Sequence, residues 1–157
     1  RHRYGARSVT LQLYDGPLAV ILAIGTAHDA SAVYRILSEE MWPEVGRGRI
    51  NPGKSWDRIN DCINEGYVYL VMDGNKIAAT AGLFEATDWW SDDSYWADSW
   101  IFVRPQYRKS RAIFMLMRAI KKHAPVYIGI GSDKDIERKS KLFERFGRPV
   151  CIQYKVE

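Results

Sequence analysis

One short stretch of this chain concentrates residues able to hold an anion. Val103-Arg-Pro-Gln-Tyr-Arg-Lys-Ser-Arg-Ala112 contains Arg104, Arg108, Lys109 and Arg111 and no acid. A strand is predicted to end at Val103 and a helix to start near Ser110. A helix N-terminus carries roughly half a positive elementary charge and free N–H groups, so it favours acids over bases. Each misplaced cation costs about 0.3–1 kcal/mol unless something answers it. A bound phosphate or pyrophosphate would, because backbone N–H groups and guanidinium forks then converge on it. The plainer reading is that these side chains extend into water.

The strand leading into this turn supplies a candidate base. A period of two puts Trp96, Asp98, Trp100 and Phe102 of Tyr95–Val103 on one face, with Asp98 flanked by two indoles. Desolvation there would raise its pKa and make it a better proton acceptor. A structural, hydrogen-bonded Asp is the alternative. Glu85, at the end of the preceding strand, is the second choice. Around these residues the charge falls into blocks. Residues 77–103 hold five acids (Glu85, Asp88, Asp92, Asp93, Asp98) and no base, while residues 104–132 hold seven bases and no acid. The net charge of +4 is therefore a difference between adjoining blocks, and argues only weakly for a nucleic-acid partner. Solvated faces give similar runs. Four of the six Trp lie within residues 89–100, as core and loop packing or as an aromatic wall for a flat or cationic acceptor. His2, His28 and His123 show no metal-ligand spacing and read as lone surface residues, so no metal is expected.

The elements that must position these residues are legible in outline. Residues 8–14 and 18–24 read as strands about Asp15-Gly16-Pro17, and Asp29 is predicted to cap a helix carrying Val33, Ile36, Leu37 and Met41. A loop from Pro43 to Gly53 follows, then a helix capped by Ser55 with Trp56, Ile59 and Ile63 on one face. Tyr67–Met72 and Lys76–Phe84 flank Asp73-Gly74-Asn75, a hairpin signal. After the strand and turn already described, a helix runs to His123 before Pro125, and Val126–Ser132 is a strand. Asp133 or Asp135 caps a last helix ending at Gly147, and Val150–Val156 closes as a strand. The class is α/β, or α+β in the sense of a mixed sheet covered by helices. With 157 residues the chain is one domain, residues 1–18 forming an N-terminal extension or extra strand. The longest apolar run, Leu18 to Ile24, is too short to cross a membrane, and Cys62 and Cys151 fit a reduced, cytoplasmic compartment. Because the chain opens on Arg1 rather than Met, a cleaved targeting segment is left open.

The turn also resembles the GNAT superfamily of acyl-CoA-dependent N-acyltransferases, many of which read V-x-P-x-Y-R-G-x-G-x-G/A at a strand-to-helix turn. Val103, Pro105, Tyr107 and Arg108 stand in register with that pattern. Asp29-Ala-Ser-Ala-Val-Tyr-Arg-Ile-Leu37, Lys76-Ile-Ala-Ala-Thr-Ala-Gly-Leu83 and Lys141-Leu-Phe-Glu-Arg-Phe-Gly147 look like the family's first helix, central strand and last helix. Trp89-Trp-Ser-Asp-Asp93, with Arg108-Lys-Ser-Arg111, looks most like the phage-type members. Lys109, Arg111 and Ile113 replace the family's glycines, so the turn has less access to positive φ.

The resemblance implies a fold, a co-substrate and a reaction. The fold would be GNAT-like with an extra N-terminal strand, and the co-substrate acetyl-CoA. Its pantetheine arm would lie along Ile101, Phe102 and Val103, and its pyrophosphate on the amides of Arg108, Lys109, Ser110, Arg111, Ala112 and Ile113. The reaction would be acyl transfer to a primary amine by direct attack in a ternary complex. An alkyl amine, with a pKa of about 10.4, must first lose a proton, and Asp98 or Glu85 would take it. Many GNAT enzymes protonate the leaving thiolate with a Tyr where this chain has Phe143; Tyr107, Tyr127 or Ser132 are substitutes. The acceptor would be an amine-bearing small molecule or protein, attracted by the acids of residues 88–93. Homodimers are common among proteins of this kind. Two other readings are a catalytically weak binding or inhibitor module on the same fold, and a nucleic-acid-modifying member.

Overall fold

Alternation along Tyr67–Asp73 (β2) places a strand at the middle of a sheet. Tyr69 and Val71 go to one face, Val68 and Leu70 to the other, and all four are buried. A strand apolar on both faces needs cover on both sides, and this one has it. The computed structural model describes residues 20–46, 48–130 and 135–150. In it β2 lies between β1 (Val20–Ile24) and β3 (Lys76–Thr87), both antiparallel to it. β4 (Ser94–Val103) pairs antiparallel with β3, and β5 (Val126–Tyr127) pairs parallel with β4, giving the order β1-β2-β3-β4-β5. Gly74, at φ 57°, makes the turn from β2 to β3, a conformation that glycine adopts at no steric cost. The expected hairpin is present.

Helices cover the two faces. On one, Ala30–Ile36 (α1), Leu37 directly after it and Pro52–Asn64 (α3) bury Val33, Ile36, Leu37, Ile59 and Cys62 against Val68, Leu70, Trp100 and Phe102. On the other, Ala112–Ile120 (α4) buries Ala112, Leu116, Met117, Ala119 and Ile120 against Tyr69, Val71, Ala79, Ala81 and Leu83. Phe143, at the end of Ile136–Phe143 (α5), packs against this second cluster. Among the described residues no helix is long and apolar enough to cross a membrane.

The helix ends differ from expectation in instructive ways. Before α1 a capping box is built from Thr26: the Asp29 carboxylate accepts from the Thr26 N–H (2.8 Å) and hydroxyl (2.9 Å). Helical structure then runs past Pro43, through a π-helical stretch (Leu37–Met41), to Val45 at the end of α2 (Trp42–Val45). The missing N–H of Pro43 falls where the regular ladder is already interrupted, and Gly46 at φ 65° supplies the stop. Asn51, not Ser55, caps α3: its Oδ1 accepts from the Lys54 N–H (3.1 Å) and Pro52 takes the first turn. Ser55 instead donates back to the Asn51 carbonyl (2.9 Å). Among the described residues, the strand expected over Val126–Ser132 pairs only at Val126–Tyr127, and residues 131–132 lie outside them. The strands expected over residues 8–14 and Val150–Val156, and the extension 1–18, lie outside the described residues except for Val150, which is exposed and not in a strand.

Gly66, between α3 and β2, sits where no side chain fits. A Cβ there would lie 2.0 Å from the Leu83 carbonyl oxygen. Gly66→Ala is therefore expected to destabilise the fold by about 1–3 kcal/mol or more, read as a lower urea midpoint at unchanged slope. An unchanged midpoint would contradict the close approach of α3 to β3.

Candidate active site

Period two fails within β4, and the failure rearranges the expected site. Gly82 pairs with Trp100 and Leu83 with Asp98, so Ser99 is an extra residue, a β-bulge. The bulge switches faces along the strand. Trp100 and Phe102 pack with α1 and α3, whereas Trp96 packs with the α4 cluster. Asp98 therefore shares its side with Trp96 alone, and the expected pair of flanking indoles does not form. Gly82 leaves room for the Trp100 ring, which a Cβ would meet at 2.3 Å, and the indole N–H donates to the Thr80 hydroxyl (3.2 Å).

Asp98 stands where β5 leaves β4. The two strands pair at Trp96–Val126 and Ala97–Tyr127; beyond that the Asp98 carboxylate accepts from the Gly129 N–H at 2.8 Å. Burial pushes its pKa up to about 6, outweighing that hydrogen bond and one from its own backbone N–H, both of which favour the charged form. Such a group is largely ionised at neutral pH yet basic enough to take a proton. Glu85 is different: it is exposed, opposite Trp96, and accepts a hydrogen bond from the Ser94 hydroxyl.

Past Asp98, one edge of β4 is open. The Arg104 N–H donates to Ala78 of β3 (3.1 Å), so by alternation the main-chain groups of Ile101 and Val103 point away from β3. No described strand pairs with them there. The Val103 carbonyl accepts from Arg108 Nε (3.3 Å), while Phe102 is buried on the α1–α3 side.

The edge leads into the turn, whose charges are partly answered from afar. Arg104 pairs with Glu40 (2.7 Å) and Arg108 with Glu44 (2.5 Å), both acids from the α1–α2 helical run. Lys109 and Arg111 make no ion pair among the described residues. The Ser110 hydroxyl donates to the Tyr107 carbonyl (2.6 Å) and accepts from the Ala112 N–H (3.2 Å). The N–H groups of Lys109, Arg111 and Ile113 donate to no main-chain group among the described residues. Asp135 alone among the described non-glycine residues has positive φ, so the turn needs none of the glycines it lacks. Among the described residues, a buried carboxylate, an open strand edge, two cations without an ion pair and main-chain amides without a main-chain acceptor thus follow one another along β4 and its turn.

A model of the acetyltransferase (GNAT) family matches residues 32–147. The chain belongs to this family. As a GNAT acetyltransferase it is a transferase, and the family's co-substrate is acetyl-CoA. Solved structures of acetyltransferases share its fold. A possible acetyltransferase from Clostridium difficile 630 superposes with a TM-score of 0.67 at 10% identity, covering 88% of this chain and 95% of that one. The ribosomal-protein-alanine N-acetyltransferase from Brucella melitensis biovar Abortus 2308 gives 0.62 at 12%, covering 88% and 98%. An aminoglycoside acetyltransferase from an uncultured soil metagenomic sample, in complex with sisomicin, gives 0.59 at 12%, covering 88% and 97%. None of the curated proteins matches the chain significantly.

In this GNAT chain the remaining sequence candidates are distributed as follows. Tyr107 is committed to structure: its hydroxyl donates to Asp73 (2.8 Å), which raises its pKa. Tyr127 is half exposed and stacks edge-on with Tyr95 (4.8 Å), whose hydroxyl donates to Asp88 (3.3 Å); Ser132 lies outside the described residues. Trp89 and Trp90 are exposed. His123 is no lone surface residue: its Nε2 is 2.6 Å from the Tyr69 hydroxyl, and its ring packs against Tyr67 and Trp96. Among the described residues no three His, Cys, Asp or Glu side chains group as metal ligands. Sequence reasoning missed Ser99, Gly129, Glu40 and Glu44. The Glu40-x-x-x-Glu44 spacing puts both acids on one helical face, a signal that was available.

Proposed function

We propose that the chain transfers acetyl from acetyl-CoA to a primary amine by direct attack in a ternary complex, with Asp98 as base. The observation that carries this is the open edge of β4 between Asp98 and the α4 N-terminus. The outward main-chain groups of Ile101 and Val103 suit the amide-bearing pantetheine arm, whereas those of Phe102, expected to share in this, are turned toward β3. The free amides within Arg108–Ile113, with Lys109 and Arg111, suit the phosphates. Asp98 takes the ammonium proton, the amine nitrogen bonds to the thioester carbonyl carbon and sheds its second proton to solvent, and the carbon–sulfur bond breaks to release thiolate. A thiol pKa of about 8.5 lets the thiolate leave without a protein acid and take its proton from water, which suits Phe143 in place of a Tyr.

The aminoglycoside and ribosomal-protein-alanine acetyltransferases of the same fold agree with an amine acceptor. Pairing of Arg104 and Arg108 with Glu40 and Glu44 shrinks the free basic surface and disfavours a nucleic-acid substrate. A phage-type affinity, supported by residues 89–93 and 108–111, and a cytoplasmic setting, supported by the buried free Cys62, belong to the same reading. Thiol release from acetyl-CoA, followed against a panel of amines, amino acids and peptides, tests the proposal. Amine-dependent release is expected; acetyl-CoA bound but never cleaved with any amine would refute it.

A further inference from the structure

We infer that Arg108 is a strap across the co-substrate edge of β4, clamped by Glu44 and released by phosphate, so that a phosphate-bearing acyl donor is preferred over the same thioester without phosphate. The inference rests on the acetyl-CoA reading above and names the two residues that set its donor specificity. Val103 is the last residue of β4, and its outward carbonyl is one of the groups that suit the pantetheine arm. That carbonyl already has a hydrogen-bond donor, Arg108 Nε at 3.3 Å. Arg108 Nη2 donates to both carboxylate oxygens of Glu44 (2.5 and 2.7 Å), and the guanidinium carbon lies 5.9 Å from the centroid of the Phe102 ring. The side chain thus runs from the turn back over the edge of β4 toward α2.

This hold differs from that on the other arginine paired in the turn. Arg104, only 24% exposed, also donates to the Ile77 carbonyl, which ties it into the sheet. Arg108 and Glu44 each keep 40% of their side-chain surface exposed, so an anion can reach the guanidinium from solvent. An exposed ion pair is also weak enough to be exchanged. Arg108 begins the run of amides suited to the phosphates, and a phosphate offers the guanidinium fork more charge than one carboxylate does. Exchanging Glu44 for phosphate frees the Val103 carbonyl to accept from a pantetheine amide, while the guanidinium keeps a charged partner throughout. A phosphate-free thioester must break the Arg108–Val103 bond with nothing to offer the displaced guanidinium.

Isothermal titration of acetyl-CoA, and of S-acetylpantetheine as the same thioester arm without phosphate, tests this in wild type, Glu44→Gln, Arg108→Met and the double variant. Arg108→Met keeps an apolar stem over Phe102 and removes both polar contacts. Wild type is expected to bind acetyl-CoA the more tightly. Each single variant is expected to tighten S-acetylpantetheine about threefold to tenfold, the range that one hydrogen bond and one exposed ion pair allow. Glu44→Gln tightens acetyl-CoA by a similar factor, whereas in Arg108→Met the preference for acetyl-CoA falls about tenfold or more. In the Arg108→Met background, Glu44→Gln changes either affinity by less than about twofold, which separates release of the strap from simple loss of a negative charge. S-acetylpantetheine bound no better by the folded single variants than by wild type, or by none of the four proteins, overturns the inference, and so does weaker acetyl-CoA binding in Glu44→Gln. Acetyl-CoA binding and thiol release would then leave the transfer reading intact. If acetyl-CoA binds but no amine supports thiol release, the transfer reading fails and these titrations still decide the strap. If acetyl-CoA binds to none of the four, both fail.

Discussion

Asp98→Asn is expected to slow amine-dependent thiol release by about 10²–10⁴-fold, the range that a positioned general base contributes. The substitution keeps an acceptor oxygen for the Gly129 N–H, so geometry is disturbed little. In the wild type, kcat/KM rises with pH through about 6, as the Asp98 carboxyl loses its proton, and this limb disappears in the variant. Stability moves the other way. The carboxyl pKa is raised in the fold, from 3.8 to about 6, so between these values the folded state holds more protons than the unfolded one. Its contribution to stability is therefore complete below pH 3.8, declines as pH rises, and is lost above about 6. Removing the ionised carboxylate should then stabilise the protein at pH 7 by about 1–3 kcal/mol, seen as a higher Tm. A variant both slower and more stable is what a desolvated base predicts. A variant that is slower and less stable would make Asp98 a structural residue.

Lys109→Ala/Arg111→Ala is expected to weaken acetyl-CoA binding by about 10–100-fold with the fold intact. Both side chains are exposed and in no ion pair among the described residues, so their removal orphans no described acid. Charge-assisted contacts to phosphate are among the stronger hydrogen bonds, but exposure and salt reduce them, which sets the lower figure. The remaining cofactor affinity of the wild type should fall as salt rises, and more steeply than that of the double variant. Arg104→Ala makes the contrast. Arg104 is paired with Glu40 and donates to the Ile77 carbonyl (3.2 Å), so its loss should lower stability more than cofactor affinity. Titrations in low and moderate salt, with urea unfolding of both variants, separate the two outcomes. Equal effects of the two substitutions on binding would refute this division of roles.

The sheet and its helices were legible because their signals are local. The alternation in β2, the Asp73-Gly74-Asn75 turn and the apolar spacing of α1, α3 and α4 each specify one element. What escaped was non-local. A bulge at Ser99 leaves the composition of β4 unchanged, yet it reverses the face of every residue beyond it, and so removed Trp100 from beside Asp98. Glu40 and Glu44 reach Arg104 and Arg108 from 64 residues away, and an acid-free local stretch gave no sign of them. The raised pKa of Asp98 was anticipated for a partly mistaken reason: burial at the departure of β5 causes it, not a sandwich of two indoles. The glycine-poor turn shows the same limit, since only the backbone angles reveal that no positive φ is required there.

Isothermal titration of acetyl-CoA into the full chain tests the central claim most directly. Saturable binding with a dissociation constant below about 1 mM, equivalent to roughly 4 kcal/mol of binding free energy, and weakened in Lys109→Ala/Arg111→Ala, is the predicted result. No binding heat at millimolar acetyl-CoA, with the chain folded by circular dichroism, would contradict the assignment of the β4 edge and the α4 N-terminus to the co-substrate.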